Sequence, residues 1–194
     1  PALATTVFVS NEKDNTVTVL DGETLKVKKT IQTGLRPRGI ILSPDYKELF
    51  VCVGDDNRLD VIDTEKLEVV RTLPSGPDPE LLDVDRVAEW TPDGKDVWVS
   101  SEIGGTVAVI DGSKYEIKKK FGFEINGVDP DLIQPIGIQF TLDGKLAFVA
   151  LSHANRVAVI DTATYEVQKY IILGQRPWHL ALHPNGKKLY VANG

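Results

Sequence analysis

The sequence predicts an all-β chain folded as a β-propeller of four-stranded antiparallel blades, and three observations lead to this prediction. The first is a strand-like segment ending in Asp, which occurs as VTVLD at 17–21, LDVID at 59–63, VAVID at 107–111 and VAVID at 157–161. The second is a turn segment, which occurs as SPDYK at 43–47, TPDGK at 91–95, TLDGK at 141–145 and HPNGK at 183–187. The third is the spacing of 42 to 50 residues between copies, which is typical of propeller blades.

Each repeat holds about four short β runs separated by turn residues. The first repeat shows them as VFVSN at 7–11, VTVLD at 17–21, LKVKKTIQTG at 25–34 and RGIILSPDYK at 38–47. Apolar residues in a run such as VAVI at 107–110 are nearly continuous, which indicates that both faces are covered, as between stacked blades. The next run alternates and is expected to be a half-buried outer strand, with these apolar pairs: Leu25 and Val27, Leu67 and Val69, Tyr115 and Ile117, Tyr165 and Val167.

The turns carry residues suited to tight reversals. Proline presets φ, Asp or Asn bonds its own backbone, and glycine takes the positive φ that other residues resist. Tyr46 stands at the glycine position in the first copy, so that turn is expected to be strained or differently built. The strand-ending aspartates are expected to close Asx-type turns, a structural role, at Asp21, Asp63, Asp111 and Asp161.

The repeats define one predicted domain, residues 5–194. They fall near 7–47, 48–95, 96–145 and 146–187, with the start of a fifth at 188–194. Seven blades of this length would need roughly 300 residues, so we expect a portion of a seven-bladed ring, with a compact four-bladed ring as the alternative. The linker GPDPE at 76–80 is followed at 81–90 by a segment without the G-I-x-L pattern, which indicates a diverged blade or sequence missing near 80–86.

Composition excludes two classes of partner. The 22 Lys and Arg residues stand against 28 Asp and Glu, and no basic cluster could follow a phosphate backbone, so nucleic acid is not expected. No apolar run approaches the ~18 to 20 residues that cross a bilayer, so no membrane span is expected.

The N-terminal residues suggest export. Residues 1–4 end in Ala-x-Ala, the pattern that signal peptidase cuts after, and we predict that they are a cleavage remnant. The chain has no methionine, so it is expected to have been processed or trimmed. The single cysteine, Cys52, lies in the apolar run LFVCVG and is expected to be a buried core thiol.

Several segments resemble the YVTN-family β-propellers, most closely the secreted propellers associated with PQQ-dependent alcohol catabolism. They are VFVSNEKDNTVTVLD at 7–21, RPRGIILSPDYKELFVCVGDDN at 36–57, SGPDPE at 75–80, VWVSSEIGGTVAVID at 97–111 and QPIGIQFTLDGKLAFVALSHANRVAVID at 134–161. The resemblance implies a periplasmic seven-bladed propeller, with a quinoprotein dehydrogenase or its cytochrome as partner.

The linkers between blades carry the candidate ligand- or partner-binding residues. Equivalent linkers read LRPRG at 35–39, IQPIG at 133–137 and QRPWH at 175–179. We predict a binding site formed by Arg36, Arg38, Arg176, Trp178 and His179. Guanidinium groups bind carboxylates bidentately, and PQQ is a polycarboxylate, so PQQ is a candidate ligand. The alternative is a structural role in which the arginines pair with acids such as Asp14, Asp55 or Glu102.

No catalytic, metal or cofactor motif is evident. The chain has no GxSxG, Walker or GxGxxG segment. His153, His179 and His183 lack metal-ligand spacing, and GDDN at 54–57 and VDPD at 128–131 lack the spacing of a calcium loop. The three tryptophans, Trp90, Trp98 and Trp178, are expected to pack between blades.

These observations favour a binding or docking protein over an enzyme. The fourth repeat carries an insertion, INGVDPDLIQP at 125–135, and long loops on a rigid scaffold often hold partners. A lactonase-like hydrolase is the alternative, with His153, His179 and Glu102 as the available acids or bases. A surface or structural repeat protein is the third hypothesis.

Overall fold

A computed structural model describes residues 5–74 and 88–194. The chain divides into two compact units, Pro1–Val84 and Asp85–Gly194, and each is described by itself. The predicted cleavage remnant at 1–4 and the irregular segment at 76–86 lie outside the described residues. The prediction of a single domain therefore stays a prediction.

The first unit contains two antiparallel sheets. One has three strands: β1 (Thr6–Asn11), β2 (Thr16–Asp21) and β3 (Val27–Gln32). The other has four: β4 (Pro37–Leu42), β5 (Glu48–Val53), β6 (Arg58–Asp63) and β7 (Glu68–Pro74). The strands of each sheet pair in chain order, as expected for a propeller blade.

The second unit contains three antiparallel sheets. Its first blade has β8 (Ala88–Trp90), β9 (Asp96–Ser101), β10 (Thr106–Asp111) and β11 (Ile117–Gly122). Its second blade has β12 (Pro135–Phe140), β13 (Leu146–Leu151), β14 (Arg156–Asp161) and β15 (Val167–Ile172). A two-stranded sheet follows, with β16 (Pro177–Leu182) and β17 (Leu189–Asn193). A 3-10 helix, Pro130–Leu132, lies in the linker before β12.

The cores of both units form where neighbouring sheets stack, as the continuous apolar runs predicted. In β10, all four residues of VAVI at 107–110 are at most 3% exposed. Trp98 is 1% exposed and meets Phe140 of the next blade edge to face, with ring centroids 5.2 Å apart. Each buried aliphatic side chain contributes about 1.5–3 kcal/mol. Cys52 is fully buried, which confirms the prediction of a core thiol.

An equivalent hydrogen bond joins neighbouring blades in both units. The Ser10 hydroxyl donates to the Arg38 carbonyl at 2.7 Å, and the Ser100 hydroxyl donates to the Ile136 carbonyl at 2.7 Å. Both serines occupy the same repeat position, the one that Cys52 holds in β5. The position is therefore small because it faces the first strand of the next blade.

The four strand-ending aspartates close Asx turns, as predicted. The Asp111 carboxylate, for example, accepts the backbone N–H groups of Ser113 and Lys114, both at 2.9 Å. Hydrogen bonds from the Ser113 hydroxyl and these backbone groups lower the pKa of Asp111 to about 2. The pKa values of the other three aspartates are lowered for the same kind of reason.

One prediction for the outer strands is wrong. The first residue of each apolar pair does not belong to the outer strand. It is the last residue of the preceding turn, and its backbone is left-handed: Leu25 (φ 55°), Leu67 (φ 56°), Tyr115 (φ 60°) and Tyr165 (φ 62°). In each turn, this residue donates its N–H to the carbonyl of the strand-ending Asp, which brings the chain back. The strands that follow are also more exposed than predicted. In β3, Val27 is 62% exposed. Lys28 and Lys29 are also exposed on this edge strand, where charged side chains prevent pairing with another strand.

The turn at Tyr46 has the same backbone as its glycine counterparts. Tyr46 has φ 62°, close to the 69° of Gly94 and of Gly144, and makes the same hydrogen bond to the residue three before it. Of the two predicted alternatives, a strained turn is therefore the one observed. The left-handed conformation costs an L-residue about 1–2 kcal/mol, and the Tyr46 side chain, 71% exposed, recovers little by burial.

In the part of the chain that the structure describes, no helix is long and apolar enough to cross a membrane.

Candidate functional site

Arg36 and Arg176 occupy equivalent positions in two blade linkers, and their backbones are held in the same way. Both are left-handed, with φ of 60° and 47°. The Arg36 N–H donates to the Asn15 side-chain oxygen at 2.9 Å, and the Arg176 N–H donates to that of Asn155 at 2.8 Å. The linker conformation is thus fixed by an asparagine 21 residues upstream in both cases.

Sequence reasoning missed these asparagines. They stand at a left-handed position directly before β2 and β14, with φ of 56° at Asn15 and 55° at Asn155. The repeat shows the signal, because the equivalent residues are Asn57 and Gly105, the types that tolerate this conformation. Their role is to position the linkers.

In the first unit, the predicted residues Arg36 and Arg38 share one carboxylate. Glu12 Oε1 lies 3.1 Å from Arg36 Nη2 and 2.9 Å from Arg38 Nη2. Arg36 Nη1 also lies 3.0 Å from Asp55 Oδ1, one of the acids that the structural alternative named. Hydrogen bonds from Arg38 and then Arg36 lower the pKa of Glu12. An anionic ligand would have to compete with these two carboxylates.

In the second unit, Arg176 contacts an aromatic ring instead. Its guanidinium carbon lies 5.3 Å from the centroid of the Trp178 ring, a cation–π contact. Among the described residues it has no carboxylate partner. His179 follows on β16 and is exposed, as Arg176 is, whereas Trp178 is half-buried. Convergence of these three residues with Arg36 and Arg38 stays a prediction, because the two groups lie in separate units.

Glu89 is a second residue that sequence reasoning missed. It lies on β8, is half-buried, and has no hydrogen-bond or ion-pair partner among the described residues. Burial raises its pKa to about 7. The residues at the same position in the first strand of other blades are Ile41, Gln139 and Ala181. The fold therefore does not require an acid at this position. A half-buried carboxyl that titrates near neutrality can serve as a general acid or base.

The remaining candidates named from the sequence are His153, His183, Glu102 and the Asp-rich segments. Within residues 5–74 and 88–194, no group of three His, Cys, Asp or Glu could hold a metal ion. His183 accepts the Asn185 N–H at 3.2 Å in its turn, His153 is exposed, and Glu102 is buried. In GDDN, the Asp56 carboxylate accepts the Leu35 N–H at 3.0 Å.

The insertion of the fourth repeat forms a long linker, residues 123–134. Its ends are buried at Phe123 (8% exposed) and Ile133 (3% exposed), and Ile125 and Val128 pack against the same core. Asp129 caps the 3-10 helix by accepting the Asp131 N–H at 3.1 Å. The linker is therefore an ordered projection anchored at several points.

The long linker carries one exposed apolar side chain and three exposed acids. Leu132 is 43% exposed. Glu124, Asp129 and Asp131 are exposed, and no Lys or Arg of the described residues pairs with them. This surface therefore has the composition of a small binding patch, an exposed apolar side chain with a charged rim.

Comparisons with known proteins establish the fold. Residues 2–91 match the family model described as YNCE-like beta-propeller. Hydrazine synthase from Kuenenia stuttgartiensis superposes with a TM-score of 0.82 at 22% identity, covering 96% of this chain and 51% of that one. A candidate 6-phosphogluconolactonase from Bacteroides uniformis gives 0.80 at 16% identity, covering 100% and 62%. No curated protein sequence matches the chain.

These findings confirm the predicted β-propeller and its four-stranded antiparallel blades. At 22% and 16% identity, the two structures are informative about the fold alone. The chain spans 51% and 62% of their lengths. The activity and partners of the whole protein therefore remain to be proposed from the site.

Proposed function

We propose that the chain is a β-propeller docking module that binds a partner protein through the long linker, residues 123–134. The observation that carries the proposal is the exposed Leu132 on an anchored linker that also carries three exposed acids, none paired with a Lys or Arg among the described residues. The equivalent linker of the first unit has no such projection, because only residues 33–36 separate β3 from β4.

An anchored loop favours binding because little conformational entropy is lost when the partner docks. Ile133 and Phe123 hold the base of the long linker, so Leu132 is presented on a fixed frame. Binding energy at interfaces concentrates in a few apolar or aromatic side chains, while charges at the rim set orientation and association rate. We therefore expect a partner with an apolar pocket surrounded by basic residues.

The resemblance to secreted propellers of PQQ-dependent alcohol catabolism supplies the identity of the proposed partner. It favours a quinoprotein dehydrogenase or its cytochrome, and with it a periplasmic location and an accessory role. Arg176, Trp178 and His179 are a proposed second contact, since they expose a cation and an aromatic ring on β16 and its linker.

The test compares Leu132→Ser with Leu142→Ser in pull-downs from a periplasmic extract. Both leucines are exposed, at 43% and 63%, but Leu142 lies in the hairpin turn after β12. We expect the wild type and Leu142→Ser to capture a quinoprotein dehydrogenase or cytochrome and Leu132→Ser to lose it. Capture that is insensitive to Leu132→Ser, or no capture by the wild type, would contradict the proposal.

A lactonase-like hydrolase is the second candidate, and Glu89 is the observation that favours it. Its pKa of about 7 suits proton transfer in water-mediated ring opening. Because the fold is similar to that of a candidate 6-phosphogluconolactonase, 6-phosphogluconolactone is the first substrate to assay. Hydrolysis by the wild type that Glu89→Gln abolishes would support this candidate, and absence of hydrolysis would remove it.

A further inference from the structure

A groove with a volume of about 500 Å³ opens between the outer strands of the two complete blades of the second unit. One wall is the end of β11 and the start of the long linker, with Gly122, Phe123 and Glu124. The other wall is β15, with Val167 and Tyr170. The volume lies within the range of ligand pockets, ~300–1,000 Å³. The groove therefore adjoins the long linker, through which docking is proposed.

The walls of this groove are held in place by the core. Among its five residues only Phe123 is buried, and its ring meets that of Phe121 edge to face with centroids 5.9 Å apart. Val167 and Tyr170 pack against the same core but are half-buried, so part of each side chain remains accessible. A ligand would therefore contact Tyr170 and Val167, which need no further ordering when it binds.

The first unit has other residue types at the same repeat positions. The pairing of the strands places Gln32 where the second unit has Gly122, Thr33 for Phe123, Gly34 for Glu124 and Thr72 for Tyr170. The propeller fold therefore does not require a glycine, an acid or an aromatic ring at these positions.

Gly122 has no backbone reason to be a glycine. Its φ is not positive, and an added Cβ would lie 3.4 Å from the Gly105 carbonyl oxygen and 3.8 Å from Thr106 Cγ2, which are ordinary contacts. The equivalent residues of the other described blades all carry side chains: Gln32, Pro74 and Ile172. The effect of the glycine is to leave space at this end of the groove.

Glu124 carries the only charge among the described residues that line the groove. It is exposed, and no Lys or Arg of the described part of the chain pairs with it. Burial raises the pKa of Tyr170, a hydrogen bond with the Glu124 backbone opposes this change, and the Glu124 carboxylate adds to it. Glu124 therefore lies beside Tyr170, and a carboxylate next to an aromatic ring suits a planar cation.

We propose that this groove receives an arginine side chain of the docking partner, an assignment that rests on the docking function proposed for the long linker. The guanidinium would pair with Glu124 and stack against Tyr170, and the aliphatic stem would lie along Val167. Arginine is favoured over lysine because its planar group stacks on a ring and binds a carboxylate through two hydrogen bonds. An acidic side chain would be repelled by Glu124.

The experiment titrates the protein with acetyl-arginine amide, acetyl-citrulline amide and acetyl-glutamate amide while following the backbone amide resonances of Gly122 and Glu124 by NMR. Arginine and citrulline have nearly the same shape and differ in charge. We expect a saturable shift with the arginine probe, binding of the citrulline probe at least about fivefold weaker, and no shift with the glutamate probe. Equal binding of the arginine and citrulline probes, or no shift with the arginine probe, would overturn the proposal.

Two variants test whether the groove is the site. Glu124→Gln removes the charge and should weaken binding of the arginine probe at least about fivefold. Gly122→Gln introduces the residue of the first unit and should block the groove. Glu116→Gln is the matched control, because Glu116 is an exposed acid directly before β11 and does not line the groove. Binding that both groove variants leave unchanged would place the site elsewhere and overturn the assignment.

The pull-down from a periplasmic extract distinguishes failure of the groove from failure of docking. We expect Gly122→Gln to reduce capture of the partner, as Leu132→Ser does. Capture that Leu132→Ser abolishes and Gly122→Gln leaves unchanged would overturn the groove assignment and leave docking intact. Binding of the arginine probe by a protein that captures no partner would contradict docking and leave the groove as an arginine-binding site.

Discussion

The linkers at Arg36 and Arg176 share a backbone but differ in the surroundings of the guanidinium. In both, a left-handed arginine donates its N–H to an asparagine side chain at 2.8–2.9 Å. In the first unit Glu12 then pairs with Arg36 and Arg38, whereas the equivalent residue in the second unit is Ser152, which carries no charge. The Ser152 hydroxyl is buried without a hydrogen-bond partner among the described residues.

The difference teaches that the shared backbone of the Arg-Pro pair does not determine what the guanidinium contacts. Asparagine and the positive φ keep the linker in place in both cases, and the arginine side chain is then available for other contacts. The residue that follows the strand differs between the two blades: Glu12 pairs with Arg36, whereas the equivalent Ser152 offers no carboxylate and Arg176 lies over the Trp178 ring.

Removing the shared asparagine should have the largest effect. We expect Asn15→Ala to lower the free energy of unfolding by about 2 kcal/mol, roughly half from the lost hydrogen bond and half from forcing alanine into a left-handed conformation. Asn155→Ala should cost the same if the two linkers are equivalent. Urea denaturation measures both.

The matched variant Asn15→Gly keeps the left-handed conformation and loses only the hydrogen bond. It should cost about 1 kcal/mol. If Asn15→Gly and Asn15→Ala cost the same, the positive φ does not contribute, and if both are neutral the asparagine does not hold the linker.

Changing the acid should distinguish the two linkers. Glu12→Gln leaves Arg36 and Arg38 without their shared carboxylate and should cost about 1 kcal/mol, a value reduced because the Glu12 side chain is 42% exposed. Ser152→Ala removes a buried hydroxyl that has no partner and should be neutral or slightly stabilising. If Glu12→Gln and Ser152→Ala lower the free energy of unfolding equally, in thermal or urea unfolding, the Glu12 charge does not distinguish the two linkers.

Acid pH should weaken the first linker and leave the second unchanged. The folded-state pKa of Glu12 is lowered from 4.5, so its contribution is present above pH 4.5 and is lost as pH falls below that value. The Arg176–Trp178 contact contains no carboxyl group, so no comparable loss is expected there.

The measurement for this pH effect is the difference in urea midpoint between wild type and Glu12→Gln at pH 6 and at pH 3. The turn aspartates titrate in both proteins and cancel in this difference. We expect the difference to shrink as the pH falls. A difference that stays constant would show that the Glu12 charge does not stabilise the linker.

Most of the fold could be predicted because the repeat is visible in the sequence. The Asp-ended strands and the Pro-Asp-Gly-Lys turns gave the blades, and the Asx turns at Asp111 and its equivalents are local, so five residues determine them. The placement of Tyr165 and Leu25 was wrong because the left-handed residue closing the turn is apolar, and alternation alone could not distinguish it from a strand residue.

The site was less predictable because it depends on contacts between blades. Glu12 was not among the acids named for the arginines, since pairing across blades joins residues 24 and 26 positions apart. Glu89 was missed because its segment breaks the repeat pattern that guided the search. The raised pKa of Glu89 comes from burial, which a single sequence does not report.

The smallest effect on stability is expected at Arg176, where function should respond most. Arg176→Gln removes an exposed cation–π contact and should cost about 0.5 kcal/mol at most. If the open guanidinium binds polycarboxylates, equilibrium dialysis with PQQ should show binding by wild type and Arg36→Gln that Arg176→Gln loses, because Arg36 is already paired with Glu12 and Asp55. Loss in both variants would indicate that the two linkers act on one ligand, and retention in both would exclude the arginines as its site.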